Sequence, residues 1–227
     1  MAKSQVLSLA VVLYPDNALL DFQGPMELLE TAGTNCASGA FFESLPDFPR
    51  PKVNFTPEYV AETREPIRGL AGPSIIATKT FSEVNSKQFD IILIPGGTVK
   101  PEDMPQSVVE FVRAQVPRAQ YVLTVCTGGW LLAALGLLDG KRATSNKFFF
   151  NEIKKTTSPT VQWIAKARWV VDGKFWTASG VSAAQDMAYD FLQKLAGPEF
   201  AIAVKGVVGL RATGAGDDEL ADVFKLT

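Results

Sequence analysis

The sequence predicts an α/β protein, a mostly parallel sheet covered by helices on both faces. Three observations predict it. Val6 to Tyr14, Phe89 to Ile94 and Tyr121 to Val125 are short, nearly continuous apolar runs, the pattern of strands buried on both faces. Turn residues and then a stretch of helical periodicity follow each run. The third run stops at Cys126, in Val125-Cys126-Thr127-Gly128-Gly129, and an Ala/Leu-rich helix pattern starts at once. Cys126 therefore sits on a strand-turn-helix elbow.

Taken in order, the first strand runs to Tyr14 and Pro15-Asp16-Asn17 breaks it. Leu19-Leu20-Asp21-Phe22 places a lone acid in an apolar turn. Pro25 suits the first turn of the helix that follows, which ends near Gly33. Residues 35–57 carry turn residues and little periodicity, and are expected as an inserted surface loop with Cys36 at its start. Tyr59 to Arg64 reads as a strand, and Ile67 to Thr78 as a hairpin around Ala71-Gly72-Pro73. The Phe89 strand ends in Pro95-Gly96-Gly97-Thr98, and a helix over Gln106 to Val116 is stopped by Pro117. Behind Cys126, the helix is expected to close at Asp139-Gly140. An extended Arg142 to Asn146, a short helix from Phe148 and an edge strand over Thr160 to Ile164 come next. Asp172-Gly173 marks a hairpin between two apolar arms. Ala178-Ser179-Gly180-Val181 leads into a helix to Leu195, and Glu199 to Val208 forms another. One domain over 1–227 is expected, with 211–227 as a mobile tail.

The totals exclude several classes. A net charge of −2 over 227 residues gives no reason to expect nucleic acid or a membrane surface. The apolar stretch from Trp130 to Leu138 is far too short to span a bilayer. Met-Ala-Lys-Ser-Gln leads straight into a strand pattern without a secretory signal, and two cysteines make no disulfide framework, so a cytoplasmic setting is expected. The absence of histidine removes a Cys-His dyad, a Ser-His-Asp triad and His-based zinc sites together. No metal and no cofactor is expected, and acid/base work falls to Asp, Glu, Lys, Tyr or Cys.

The helix amides above Cys126 would favour a thiolate, the nucleophilic form. Taken locally, a small buried cysteine fits equally well. Asp21 reads as a helix-capping carboxylate or as a functional acid, and Pro95-Gly96-Gly97 as a plain turn or as a loop presenting amides. In open α/β sheets ligands bind at the carboxyl ends of strands near a switch point. Asp21, Gly96/Gly97, Cys126 and Gly180/Val181 each follow a predicted strand, so all four converge on one edge. That convergence favours a functional Cys126. Trp130, Phe148, Phe149, Phe150, Trp163, Trp169 and Trp176 are read mostly as packing, with some lining an apolar pocket.

Five segments carry a family resemblance: Leu20-Asp21-Phe22-Gln23-Gly24-Pro25, Asp90 to Gly97, Val125 to Gly128, Gly136 to Thr144, and Ser179 to Asp186. With these the chain resembles the ThiJ/PfpI (DJ-one) superfamily. The resemblance implies a flavodoxin-like sandwich and a homodimer. The pairing of Asp21 with Cys126-Thr127-Gly128 is similar to isonitrile hydratases within it. It implies Cys126 as nucleophile, Asp21 as acid/base and Thr127 beside the reacting atoms. Gly96, Gly97, Thr98, Gly128 and Val181 are expected around a small-molecule substrate, with the Gly97, Thr98 and Thr127 amides as candidates to stabilise developing charge. Ser145-Asn146-Lys147 stands where such hydratases have a histidine-aromatic pair, and Gly206 to Leu210 where they have a proline-rich segment. The expected reaction is hydration of an isonitrile to a formamide, with Cys126 and Asp21 sharing one proton. The alternatives are a cysteine-oxidation module and, disfavoured without histidine, a glyoxalase or deglycase activity.

Overall fold

A computed structural model describes residues 5–37, 40–216 and 218–226. In chain order, β1 is Gln5–Val12, α1 Leu19–Leu29, α2 Thr34–Ala37, α3 Ala40–Ser44, β2 Val53–Ala61, β3 Lys79–Thr80 and β4 Ile91–Ile94. Then come α4 Gln106–Gln115, β5 Tyr121–Val125, α5 Gly128–Ala134, β6 Arg142–Ala143, α6 Phe150–Thr156 and β7 Gln162–Trp163. The chain closes with β8 Trp169–Asp172, β9 Phe175–Ala178, α7 Val181–Ala196, α8 Pro198–Val207 and α9 Leu220–Val223.

Seven strands form one sheet in the order β3-β2-β1-β4-β5-β9-β8. Every pairing in it is parallel except the β8–β9 hairpin. The apolar runs are continuous because side chains alternate between two covered faces. Along β1, Leu7, Leu9 and Val11 face a core built with Phe22, Met26, Met187 and Phe191 of α1 and α7. Ala10 and Val12 face the other core, with Val108, Val112, Leu131 and Leu132 of α4 and α5. From β1 the chain moves outward to β2 and β3, then returns to β4 on the other side. The switch point thus lies between β1 and β4, where open α/β sheets take their ligands.

Several expectations change. Residues 35–57 are not simply a surface loop. Val53 to Pro57 already belong to β2, which pairs with β1 along its length because Phe55 is an interior residue of the core. Two short helices and buried Phe42 precede it, while residues 38 and 39 lie outside the described residues. The hairpin after Arg64 reduces to a single Ile67–Ile75 bridge with two hydrogen bonds. Helix α5 stops at Ala134, because Gly136 takes φ 75° and Leu137 N–H returns to Leu132 O. Strand β7 does not edge the main sheet and pairs instead with β6.

The C-terminal segment is docked rather than loose. Asp218 and Ala221 are buried, and Arg168 N–H and Asp218 N–H bond to Ala215 O and Lys166 O. Residues 217 and 227 of it lie outside the described residues.

Candidate active site

Helix α1 begins at Leu19, so Asp21 stands in its first turn and Pro25 in its interior, not at its start. Asp21 does not cap the helix. Its Oδ2 instead accepts the Gly96 N–H at 2.9 Å, while Gly96 O accepts the Ala18 N–H at 2.9 Å. The turns after β1 and β4 are thereby zipped together across the switch point. The carboxyl group is buried, and its Oδ1 has no hydrogen-bond partner among the described residues. The Cys126 thiol stands near enough to hold the carboxyl pKa down against burial.

Cys126 has φ 57°, the left-handed region, which costs a non-glycine residue on the order of 1–3 kcal/mol. Both of its backbone groups are tied. Its N–H donates to Ala178 O of β9 at 2.9 Å, and its carbonyl accepts the Ser145 hydroxyl at 2.6 Å. The elbow turns the side chain off the strand toward Asp21. Glycine at 96 lets the β4 turn come this close: a Cβ there would lie 2.8 Å from Cys126 Cβ and 2.7 Å from Thr127 N. At Gly128 a Cβ would collide with Ile94 O.

The Pro-Gly-Gly amides are engaged within the protein rather than free for substrate. Gly96 N–H holds Asp21. Gly97 N–H donates to Thr127 Oγ1 at 2.9 Å, and Thr98 N–H to Asp16 O at 3.3 Å. Thr127 returns its hydroxyl proton to Gly97 O at 3.0 Å. A buried turn satisfies its own donors first. Thr127 N–H acts on the sulfur. Val181 opens α7 at the same sheet edge and is partly exposed.

Asn146 is absent from the set expected at the site, yet its Nδ2 lies 3.1 Å from Cys126 Sγ. The only signal in the sequence is its place in Ser145-Asn146-Lys147, the segment that departs from the hydratase pattern. Lys147, next to it, is buried. Its ammonium donates to Thr144 Oγ1 at 2.6 Å and Ala167 O at 2.8 Å and faces Asp218 Oδ2 at 3.8 Å. Asp218 Oδ2 also accepts the Ser179 hydroxyl at 2.7 Å. Burial pulls the lysine down to about 8, against the pull of Asp218.

The proton is not where the helix amides alone would put it. Burial pushes the Cys126 thiol up to about 12, and the Asp21 charge adds to this. Thr127 N–H and the Asn146 amide oppose the rise without cancelling it. Burial likewise lifts Asp21 to about 6, against the Gly96 N–H and the thiol. The expected lowered thiol pKa is therefore corrected: at neutral pH the pair rests as thiol and carboxylate, with its one proton on sulfur. Tyr14, whose O–H donates to Pro95 O at 2.7 Å, is pushed well above the usual phenol range by burial and by Asp21 and Cys126.

Leu20 and Phe148 are exposed, and the Phe148 ring packs edge-on against Phe149 and Phe224. Trp130, Phe150, Trp169 and Trp176 are buried and pack in the core. Both cysteines are free. Among the described residues no three His, Cys, Asp or Glu side chains cluster as a metal would need, and no helix is long and apolar enough to cross a membrane.

Fold and site together define a flavodoxin-like α/β protein with a cysteine on a strand-turn-helix elbow beside a buried carboxylate. Residues 10–194 match the DJ-1/PfpI family, and the chain belongs to that family. It is 32% identical over 197 residues to the isonitrile hydratase of Pseudomonas putida, covering 86% of this chain and 75% of that one. It is 33% identical over 115 residues to the deglycase PfpI of Pyrococcus furiosus, covering 50% and 66%. In fold it resembles a THiJ/PfpI family protein from Pseudomonas syringae, with TM-score 0.70, 22% identity and coverage of 98% and 86%. Drosophila melanogaster DJ-1beta gives TM-score 0.71, 20% identity and coverage of 91% and 99%.

Proposed function

We propose that this protein is an isonitrile hydratase-type lyase that adds water to R–NC to give R–NH–CHO. The observation that carries this is the buried Asp21 carboxylate, held by Gly96 N–H and acting on the Cys126 thiol. An isonitrile carbon must accept a nucleophile and a proton at one atom. A thiol and a carboxylate sharing one proton supply both.

As Cys126 Sγ bonds to the isonitrile carbon, Asp21 takes the thiol proton and passes it to that carbon. The product is the thioimidate R–N=CH–S–Cys126, and Asp21 is a carboxylate again. Water then attacks the same carbon while Asp21 accepts one of its protons, which goes on to nitrogen. The hydroxyl proton leaves through Asp21 to sulfur as the C–S bond breaks, releasing the formamide and restoring the thiol. One carboxyl group acts as base and acid in turn, as a chain without histidine requires. The likeness to the Pseudomonas putida hydratase supports the same substrate class.

The test is formamide production, followed by mass spectrometry, from a panel of alkyl and aryl isonitriles. Wild type is expected to turn over at least one of them and Cys126→Ala none. Equal formamide yield from Cys126→Ala would overturn the proposal.

A further inference from the structure

The amide of Asn146 has a settled orientation. Its Oδ1 accepts the N–H groups of Phe148 at 3.0 Å and Phe149 at 3.3 Å. An amide oxygen held by two donors leaves the NH2 group as the side that faces Cys126 Sγ, at 3.1 Å. Residues on both sides are anchored as well. The Ser145 hydroxyl is tied to Cys126 O, and Lys147 is buried against Thr144, Ala167 and Asp218. The donor is thus carried on a segment fastened to the elbow at one end and to the C-terminal segment at the other.

We propose that Asn146 is a catalytic residue, whose amide N–H hydrogen-bonds the Cys126 sulfur and stabilises the charge it takes on as its proton leaves for Asp21. No bond to Asn146 forms or breaks. As the proton crosses, negative charge moves from a carboxylate held by Gly96 N–H to a sulfur held by Asn146 and Thr127 N–H. Gly96 alone would favour the charge staying on Asp21, and a donor on the sulfur offsets that preference. The proposal rests on Cys126 as the nucleophile and not on an isonitrile as the substrate.

The test is the rate of Cys126 alkylation by iodoacetamide in a Cys36→Ser background, read by peptide mass spectrometry at several pH values around neutral. A hydrogen bond to a charged sulfur corresponds to about one to two pH units, and the greater nucleophilicity of a more basic thiolate offsets about half of it, so Asn146→Ala is expected to alkylate roughly 3- to 10-fold more slowly at each pH. Asn146→Asp is nearly isosteric. It keeps an acceptor for Phe148 and Phe149 N–H, loses the donor to sulfur and adds a negative charge, so it is expected to be at least as slow. If Asn146→Asp reacts like its parent, Asn146 is only a cap for its loop and the proposal falls, whatever Asn146→Ala does. Should Asn146→Ala fail to fold, the Asp variant still decides. Formamide assays on the same proteins keep the two ideas apart: slowed alkylation in variants of a parent without isonitrile turnover upholds the donor and rejects the substrate.

Discussion

The backbone N–H of Gly96 donates to Asp21 Oδ2 at 2.9 Å, joining residues 75 positions apart across the switch point of the sheet. That bond carries the first turn of α1 to the end of β4 and directs the carboxyl group at the neighbouring elbow. It is also the main force keeping a buried carboxyl partly ionised, since burial alone lifts its pKa and Gly96 N–H is the largest opposing contact.

Asp21→Asn should abolish most turnover and stabilise the fold. An amide can accept the Gly96 N–H but cannot relay a proton, a loss of about 10²- to 10⁴-fold. The stability effect follows from linkage. Burial raises the native carboxyl from the ordinary 3.8 of an aspartate to about 6, so the folded state binds more protons between those values. Stability from this group is then lost as pH rises from the lower value through the upper one. Removing the carboxyl should recover roughly 2–3 kcal/mol at neutral pH and almost nothing at about pH 4. Thermal melts of both proteins at the two pH values check the sign.

In the pH profile of kcat/KM, an acid limb is expected near pH 6, where protonation removes the acceptor for the thiol proton. No second inflection belonging to Cys126 should appear below about pH 9, because burial and Asp21 hold its pKa far higher. A profile that instead rises with a midpoint near 8.5, the ordinary value for a free cysteine, would place the resting proton elsewhere.

Gly96→Ala should lose activity and stability together. The added methyl meets backbone and Cβ atoms of the elbow, which cannot swing aside as the end of a flexible side chain could. A destabilisation of about 1–3 kcal/mol is expected from urea midpoints.

Asp218→Ala should destabilise the protein by about 3–5 kcal/mol, because it leaves the buried Lys147 ammonium without its counter-charge. It also removes the acceptor of the Ser179 hydroxyl. Limited proteolysis should then cut the C-terminal segment around α9 faster than in wild type. Unchanged proteolysis and an unchanged urea midpoint would mean that the pair does not anchor the segment.

Much of the fold was legible in the sequence because its signals are local. Nearly continuous apolar runs made the strands of β1, β4 and β5 plain, and Asp172-Gly173 marked the β8–β9 hairpin. The start of β2 was hidden: Pro46, Pro49 and Pro51 gave the stretch before it the appearance of a loop, and β1 supplies the pairing that makes Val53 to Pro57 a strand. The C-terminal segment looked loose for a similar reason. Its hold on the protein comes from buried Asp218 and Ala221 and from bonds to Lys166, Arg168 and Ser179, all distant in sequence.

By itself the sequence determined the α/β class, the elbow at Cys126, the company of Asp21 and the exclusion of histidine chemistry. These depend on residue type, order and spacing, which survive any detail of packing. The tertiary structure alone decided that the shared proton rests on sulfur, that the Gly96, Gly97 and Thr98 amides are already engaged, and that Asn146 reaches the thiol. Each of these depends on burial and on atoms brought within a few ångströms by distant parts of the chain. The dielectric surroundings and hydrogen-bond partners that set a pKa exist only once the core has closed.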